Sequence, residues 1–307
     1  MSAIGFDTSN YTTSIAVFDG VGGLNCSQLL PVEQGQLGLR QSDAIFHHTK
    51  SLPELSSRLF SNVDISGVEV VGVSIRPRAV DGSYMPCFLV GFSHAKLLAE
   101  ALKVPLIQCS HQQGHVAASL WSAGRLDLMD APHLAWHLSG GTTELLLVEP
   151  EGRNVRCTKI GGTTDISAGQ LIDRTGQLLN LPFPSGKYLD ALAANAQNRD
   201  LFKVKCPGME FSLSGVQNKV QQYYALHQNA AETAGFALRC VIQGVFQATN
   251  NACKAYPGLP VVFSGGVASN SLLRKSMESF APVFAEPQYS TDNAMGVAVL
   301  ARRALEV

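Results

Sequence analysis

The feature that most restricts the fold of this chain is a pattern written twice. Ile4-Gly5-Phe6-Asp7-Thr8-Ser9-Asn10-Tyr11-Thr12-Thr13-Ser14-Ile15-Ala16-Val17-Phe18 runs as an apolar strand, a turn of small and hydroxyl residues, and a second apolar strand. Leu134-Ala135-Trp136-His137-Leu138-Ser139-Gly140-Gly141-Thr142-Thr143-Glu144-Leu145-Leu146-Leu147-Val148 repeats it. Apolar runs on either side of such a turn predict a β-hairpin. The copies lie about 130 residues apart in a chain of 307, a separation that predicts a duplicated α/β domain rather than a solenoid of short repeats. Two such lobes would bind a ligand in the cleft between them.

The intervening sequence agrees with α/β layers. A strand is predicted at Leu29 to Glu33, a helix from Gln41 to Phe60, and a strand from Glu69 to Ile75, followed by a loop with Arg76-Pro77-Arg78. Helical spacing runs from Phe88 to Leu102, ahead of a short strand at Pro105 to Gln108. After the second hairpin the chain reads as largely helical, with helices over 165–180, 213–226 and 229–255. A strand at Leu259 to Ser264 precedes Gly265-Gly266, and helices from Ser269 and from about Thr291 flank a short strand near Val283. Alternation of this kind places ligands at strand ends. The division expected is a first lobe at 1–130 and a second at 131–290, with the last helix, about 291–307, packing on the first.

Composition narrows the function classes. Apolar residues make up 46% and charged residues 15%, against about 25% charged in ordinary domains, which excludes a disordered chain. The net charge of −1 gives no broad attraction to nucleic acid or to an anionic membrane. The halves differ: residues 1–150 carry 8 basic and 13 acidic side chains, the remainder 15 and 11, so a polyanion would meet the second half. Seven cysteines without a C-x-x-C pair argue against a disulfide framework or a thiolate zinc site. No charged leader precedes the first strand and no apolar run approaches 18 residues, so the expectation is a soluble cytoplasmic protein with no membrane partner.

His111 and His115 stand four apart on a predicted helix, close enough to share a metal ion. The competing structural reading buries one and exposes the other. A zinc peptidase would need a carboxylate beside them, and both candidates, Gln112 and Gln113, are amides. Gln113 instead suits a capping box with Ser110. Asp292 is the best third ligand, with an N-cap as its equal alternative. Ser139-Gly140-Gly141-Thr142-Thr143 has the backbone amides and hydroxyls to cradle a phosphate, although hairpin chemistry explains the same glycines. Asp7-Thr8-Ser9, with Thr12 and Thr13 beyond it, holds the equivalent place in the first repeat. Gly265-Gly266 joins a strand to a helix, as suits a nucleotide. Asp173 could bind ribose hydroxyls and Gly186 could admit a ring, although an ordinary helix surface at Asp173-Arg174 is the stronger reading of these residues alone. Lys203, Lys205, Lys219, Arg274, Lys275, Arg302 and Arg303 include candidate phosphate contacts among ordinary solvated charges.

Together these residues resemble the tRNA threonylcarbamoyladenosine synthases, the family once called O-sialoglycoprotein endopeptidases or glycoproteases. The resemblance runs nearly end to end, through the Asp7-Thr8-Ser9 hairpin, His111-x-x-Gly114-His115, Leu138-Ser139-Gly140-Gly141, and Ala168-Gly169 with Asp173. It continues through Pro207-Gly208-Met209-Glu210-Phe211-Ser212-Leu213-Ser214-Gly215, Gly265-Gly266-Val267-Ala268-Ser269-Asn270 and Thr291-Asp292-Asn293. It implies a duplicated actin-like ATPase fold, of the type of actin, hexokinase and Hsp70. It implies one divalent ion, iron or zinc, on His111, His115 and Asp292. The adenine nucleotide, threonylcarbamoyl-AMP or ATP, would lie on Leu138, Ser139, Gly140, Gly141, Asp173, Gly186, Asp190 and Asn270. The implied reaction is attack of a tRNA adenosine amine on the carbamoyl carbon, with AMP leaving. The general base is not identified by any residue.

The chain departs from the family pattern at Tyr11-Thr12, where an acidic pair is usual, and at Gln113, where a glutamate is usual. The segments 38–43 and 76–86 differ as well. The expectation is therefore a divergent branch, acting on tRNA with partner proteins that help recruit the RNA, as a homodimer or a heterodimer with a paralogue. The alternative is a noncatalytic nucleotide- and metal-binding paralogue serving as scaffold or regulator. A sugar or acid kinase of the same fold superclass ranks third, since it leaves the histidines unexplained, and a peptidase last.

Overall fold

A computed structural model describes residues 2–9, 11–31, 39–291 and 293–306. In chain order the elements are β1 (Ser2–Thr8), β2 (Thr12–Phe18), β3 (Gly23–Leu29), α1 (Gln41–Phe60), β4 (Val68–Arg76), α2 (Phe88–Leu102), β5 (Leu106–Ser110) and α3 (His111–Ser122). Then follow β6 (His133–Leu138), β7 (Thr143–Glu151), β8 (Asn154–Thr163), α4 (Ala168–Leu178), α5 (Gly186–Ala193), β9 (Glu210–Phe211), α6 (Ser214–His227) and α7 (Ala230–Ala255). The chain ends with β10 (Val261–Ser264), α8 (Ser271–Met277), β11 (Val283–Phe284) and α9 (Met295–Arg303). None of these helices is long and apolar enough to cross a membrane, among the described residues.

The repeat in the sequence is a repeat in topology. One sheet runs β3-β2-β1-β4-β5, and the other β11-β10-β6-β7-β8-β9. Read from the other edge, the second is β8-β7-β6-β10-β11, the order of the first, with β9 added beyond β8. The first hairpin pairs Ala3 with Phe18 through to Thr8 with Thr13, and the second pairs His133 with Val148 through to Leu138 with Thr143. Parallel strands join each hairpin, β4 in the first sheet and β10 in the second.

The chain divides into two compact units. Unit 1 comprises 1–131, 149–157 and 292–307, and unit 2 comprises 132–148 and 158–291. In unit 1 the core gathers Ile4, Phe6, Ile15 and Val17 of the hairpin with Leu52 and Leu59 of α1 and Val71 and Val73 of β4. Each such side chain contributes about 1.5–3 kcal/mol when fully buried. Helix α9 lies close against this sheet and against α3, because glycines stand at the crossings. A Cβ added to Gly5 would come within 2.6 Å of the Ala294 carbonyl, and one added to Gly296 would strike the carbonyl of Gly114 in α3. In unit 2, Trp136 is fully buried with Phe211, Val245 and Phe263, and its Nε1–H donates to Thr249 Oγ1 at 2.9 Å.

Three local expectations are corrected. The strand placed at Leu29 to Glu33 is β3, Gly23–Leu29; Val32 and Glu33 lie outside the described residues. Asp19 turns the chain straight back, its carboxylate accepting the N–H groups of Val21 (2.9 Å) and Gly22 (2.7 Å), so the strand starts earlier. Only Cys26 of its seven residues is buried, and the edge strand carries no apolar alternation to announce it. The stretch after the second hairpin is not simply helical: β8 and β9 extend the sheet. Helix α5, eight residues from Gly186, falls outside the helices expected over 165–180, 213–226 and 229–255.

Candidate functional site: a histidine pair and a glycine cradle

In unit 1 the carboxyl ends of parallel strands deliver the polar residues, the position at which α/β sheets present ligand groups. Helix α3 starts directly where β5 ends. Ser110 Oγ accepts the Gln113 N–H at 3.2 Å, and Gln113 Oε1 accepts the Ser110 N–H at 2.9 Å, completing a capping box. His111 and His115 therefore lie one turn apart on one face, their Nε2 atoms 2.9 Å from each other. His111 is half-buried and edge-on to Phe88, and His115 is buried.

Asp7, at the end of β1, orients this pair. Its side chain is 1% exposed, and Oδ1 accepts from His111 Nδ1 at 3.0 Å and from the Ser74 hydroxyl of β4. A carboxylate only accepts, so Nδ1 carries the proton and the Nε2 lone pair of His111 faces His115. A buried carboxylate behind an imidazole is the arrangement that fixes metal-ligating histidines. Two such nitrogens suit a divalent ion with affinity for imidazole. The residues present thus fit the implied ion. Asp292, the expected third ligand, lies outside the described residues. Among the described residues no group of three histidine, cysteine or acidic side chains could hold a metal.

The other residues of the first turn are engaged in structure. Thr8 Oγ1 donates to the Cys87 carbonyl and accepts the Gly91 N–H, both at 3.0 Å. Thr13 Oγ1 hydrogen-bonds His48 Nδ1 at 2.7 Å. Ser9 and Thr12 are buried. Burial pushes the His48 imidazole down to about 4, against an opposing pull from Asp7, so it is neutral at pH 7. Burial also pushes the Cys87 thiol up to about 12, with Asp7 acting in the same direction, which removes it as a nucleophile.

In unit 2 the corresponding strand end forms a cradle. The Ser139 N–H donates to the Thr142 carbonyl at 2.8 Å, and Ser139 Oγ accepts the Thr142 N–H at 3.0 Å. A Cβ added at Gly140 or Gly141 would meet nothing within 4 Å, so the backbone there faces open space. Helix α4 begins against this turn. Its N-cap Ser167 donates to the Gly140 carbonyl at 2.6 Å, and the Ala168 N–H donates to Thr143 Oγ1 at 2.8 Å. Gly169 is required here, since an added Cβ would stand 2.5 Å from both Gly140 Cα and the Ser139 carbonyl. Gly265, at φ +90°, brings the end of β10 onto the backbone of Leu138 at the same place, whereas Gly266 is open. Helix N-termini beside open glycine backbone attract anions.

Asp173, Gly186, Asp190 and Asn270 belong to the same unit. Asp173 Oδ1 accepts the Ser185 N–H at 2.8 Å, fixing the entry to α5; burial raises its carboxyl, and that bond opposes the rise. Gly186 is open to solvent-side space. Asp190 spans to α8, accepting from Asn270 Nδ2 (2.9 Å), Ser271 N–H (3.0 Å) and Ser271 Oγ (2.8 Å). Ser167, Ser74 and His48 were not singled out as site residues in the sequence. Ser167 carried a signal, because Ser167-Ala168-Gly169-Gln170 is a capping box like Ser110 to Gln113.

Residues 34–299 match the family described as tRNA N6-adenosine threonylcarbamoyltransferase. The chain belongs to this family. It is accordingly an enzyme of the acyltransferase class. A curated relative from Thermosipho africanus, bearing that description, is 29% identical over 318 aligned residues, covering 97% of this chain and 93% of its own. One from Sulfurihydrogenibium sp. is 30% identical, covering 97% and 89%, and one from Archaeoglobus fulgidus is 28% identical, covering 90% and 81%. Solved structures confirm the actin-like ATPase fold. Full-length HypF in its phosphate- and nucleotide-bound form superposes with a TM-score of 0.60 at 15% identity, over 100% of this chain and 56% of that one. A ROK family glucokinase from Streptomyces griseus gives 0.54 at 13% identity, over 99% and 100%.

Within the family pattern, Gln113 acquires a structural meaning. Besides closing the capping box, its Nε2 donates to the Val155 carbonyl at 2.7 Å. A glutamate at this site would lack that donor.

Proposed function

We propose that this chain transfers a threonylcarbamoyl group from threonylcarbamoyl-AMP to the exocyclic amine of a tRNA adenosine. The observation that carries the reading is the His111–His115 pair backed by the buried Asp7 carboxylate, in a chain matched to the transferase family over 34–299. His111, His115 and Asp292 would hold one divalent ion, iron or zinc, which supplies electrostatic stabilisation of charge on the acyl oxygens. Asp7 and Ser74 hold the His111 ring in one tautomer. The Ser139–Thr142 turn and the α4 N-terminus bind the phosphate through backbone N–H groups prepositioned before reaction. Asp173, Gly186, Asp190 and Asn270 border the nucleoside, Asp190 and Asn270 locking α5 to α8. In the transfer the adenosine nitrogen bonds to the carbamoyl carbon, the bond from that carbon to the phosphate oxygen breaks, and AMP departs with the electron pair. The amine proton passes to solvent or to the departing group.

The chain would work in the cytoplasm, and its net charge of −1 favours partner proteins that help bring the tRNA. The test is incubation of the purified chain and its partners with threonylcarbamoyl-AMP and unmodified tRNA, followed by nucleoside analysis. The modified nucleoside is expected from the wild type, and at least 100-fold less from His111→Ala. Absence of product beside an active relative rejects the transferase reading in favour of the noncatalytic paralogue. Metal content unchanged in both His111→Ala and His115→Ala rejects the metal site.

A further inference from the structure

The stretch 196–209 in unit 2 has almost no regular structure, yet one face of α7 grips it at every turn. Glu232 accepts the N–H groups of Gln197 (2.9 Å) and Asn198 (3.0 Å), and Arg239 Nε donates to the Asp200 carbonyl at 2.9 Å. Cys240 Sγ accepts the Phe202 N–H at 3.4 Å, and Gln243 Oε1 accepts the Val204 N–H at 2.7 Å. Residues 232, 239, 240 and 243 lie on one stripe of the helix. A connection of this length without secondary structure of its own is ordinarily mobile or functional. Here the side chains of α7 remove the mobility.

The immobilised strap shows basic side chains outward. Val204 is 2% exposed, while Lys203 and Lys205 on either side of it are exposed, as is Arg199. From α6, Lys219 places its Nζ 5.9 Å from the centre of the Phe202 ring, beside them. Asp200 and Glu232 offset them only in part, leaving Arg199, Lys203, Lys205 and Lys219 in excess. Asp200, the single acid of 196–209, accepts the Tyr223 hydroxyl at 3.0 Å, and Glu232 is spent on the strap's own amides. Helix α6 carries no acidic residue. Leu201 and Phe202 stay partly exposed among the cations.

We infer that this strap is an RNA phosphate-binding surface, with Lys203, Lys205, Lys219 and Arg199 contacting successive phosphates of the tRNA; the inference rests on the proposed tRNA substrate. A fixed backbone beneath exposed cations suits a polyanion because little backbone entropy is lost on binding, and phosphate contacts hold the RNA in register without reading bases.

The test measures binding of an unmodified tRNA transcript to the full-length chain over a salt series. The triple variant Lys203→Ala/Lys205→Ala/Lys219→Ala is compared with a control triple, Lys50→Ala/Arg58→Ala/Lys96→Ala, which removes exposed cations from unit 1. The strap variant is expected to bind roughly tenfold or more weakly and to lower the slope of log affinity against log salt by about 2–3, at nearly one per lost phosphate contact. The control should keep the wild-type slope. Equal slopes in the strap variant and the wild type overturn the inference, as they would if the strap serves an acidic protein surface. A wild-type chain without tRNA affinity at any salt overturns the inference as well, while the tRNA reading stands or falls separately on the nucleoside analysis with the partners present.

Discussion

Gln113 is buried because its amide does what a carboxylate could not: it accepts the Ser110 N–H and donates to the Val155 carbonyl. Gln113→Glu keeps the first bond and turns a charge toward the carbonyl in place of the second. It is expected to lower stability at pH 7 by about 1–3 kcal/mol, read as a reduced urea midpoint. His48 predicts a pH effect. Its folded value of about 4 lies below the unfolded 6.5, so between these values the unfolded chain binds more protons. The His48 contribution is complete above pH 6.5 and declines as the pH falls toward 4. Urea unfolding from pH 7 to 5 should show a fall in stability that a His48→Gln variant lacks. Asp7→Ala should keep the fold, judged by circular dichroism, while metal affinity in competition with a chromophoric chelator drops about ten- to a hundredfold. The Ser110–Gln113 box was legible from four residues of sequence. The bonds from Asp7 to His111 and from Gln113 to Val155 were not, because they join residues 104 and 42 positions apart.

At the scale of elements, α3 holds its histidines in place by crossing α9 at Gly114 and Gly296. Gly296→Ala puts a methyl group onto the Gly114 carbonyl. The helices must separate, at about 1–3 kcal/mol of overpacking, and metal affinity should fall with stability. A variant that binds metal as tightly as the wild type would show that the crossing does not position the pair. Gly169→Ala acts likewise on α4, pressing on Gly140 and Ser139; equilibrium dialysis should show weakened nucleotide binding. The two hairpins and the long amphipathic helices were readable because periodicity is a local signal. The edge strand β3 and the eight-residue α5 were not. Edge strands expose both faces and short helices complete too few turns, so pairing and packing decide them.

For the whole molecule, each unit contains one tryptophan, Trp121 in unit 1 and Trp136 in unit 2, so the units can be followed separately in Trp136→Phe and Trp121→Phe variants. A nonhydrolysable ATP analogue at 100 times its Kd stabilises the unit that binds it by about 2.7 kcal/mol. The shift should appear in the Trp136 signal, since the glycine cradle lies in unit 2. By itself, the sequence determined that the fold is a doubled α/β architecture: hairpin pattern, helix periodicity and caps act between near neighbours and are written there directly. It also determined which residue types could serve a metal and a nucleotide. Only the tertiary structure decided how they are used. It set a buried carboxylate behind His111, tied Thr8 and Thr13 into the scaffold, and left Gly140 and Gly141 open. Such roles depend on which strand ends and helix termini come together, and that is settled by long-range packing of apolar faces rather than by the spacing of residues along the chain.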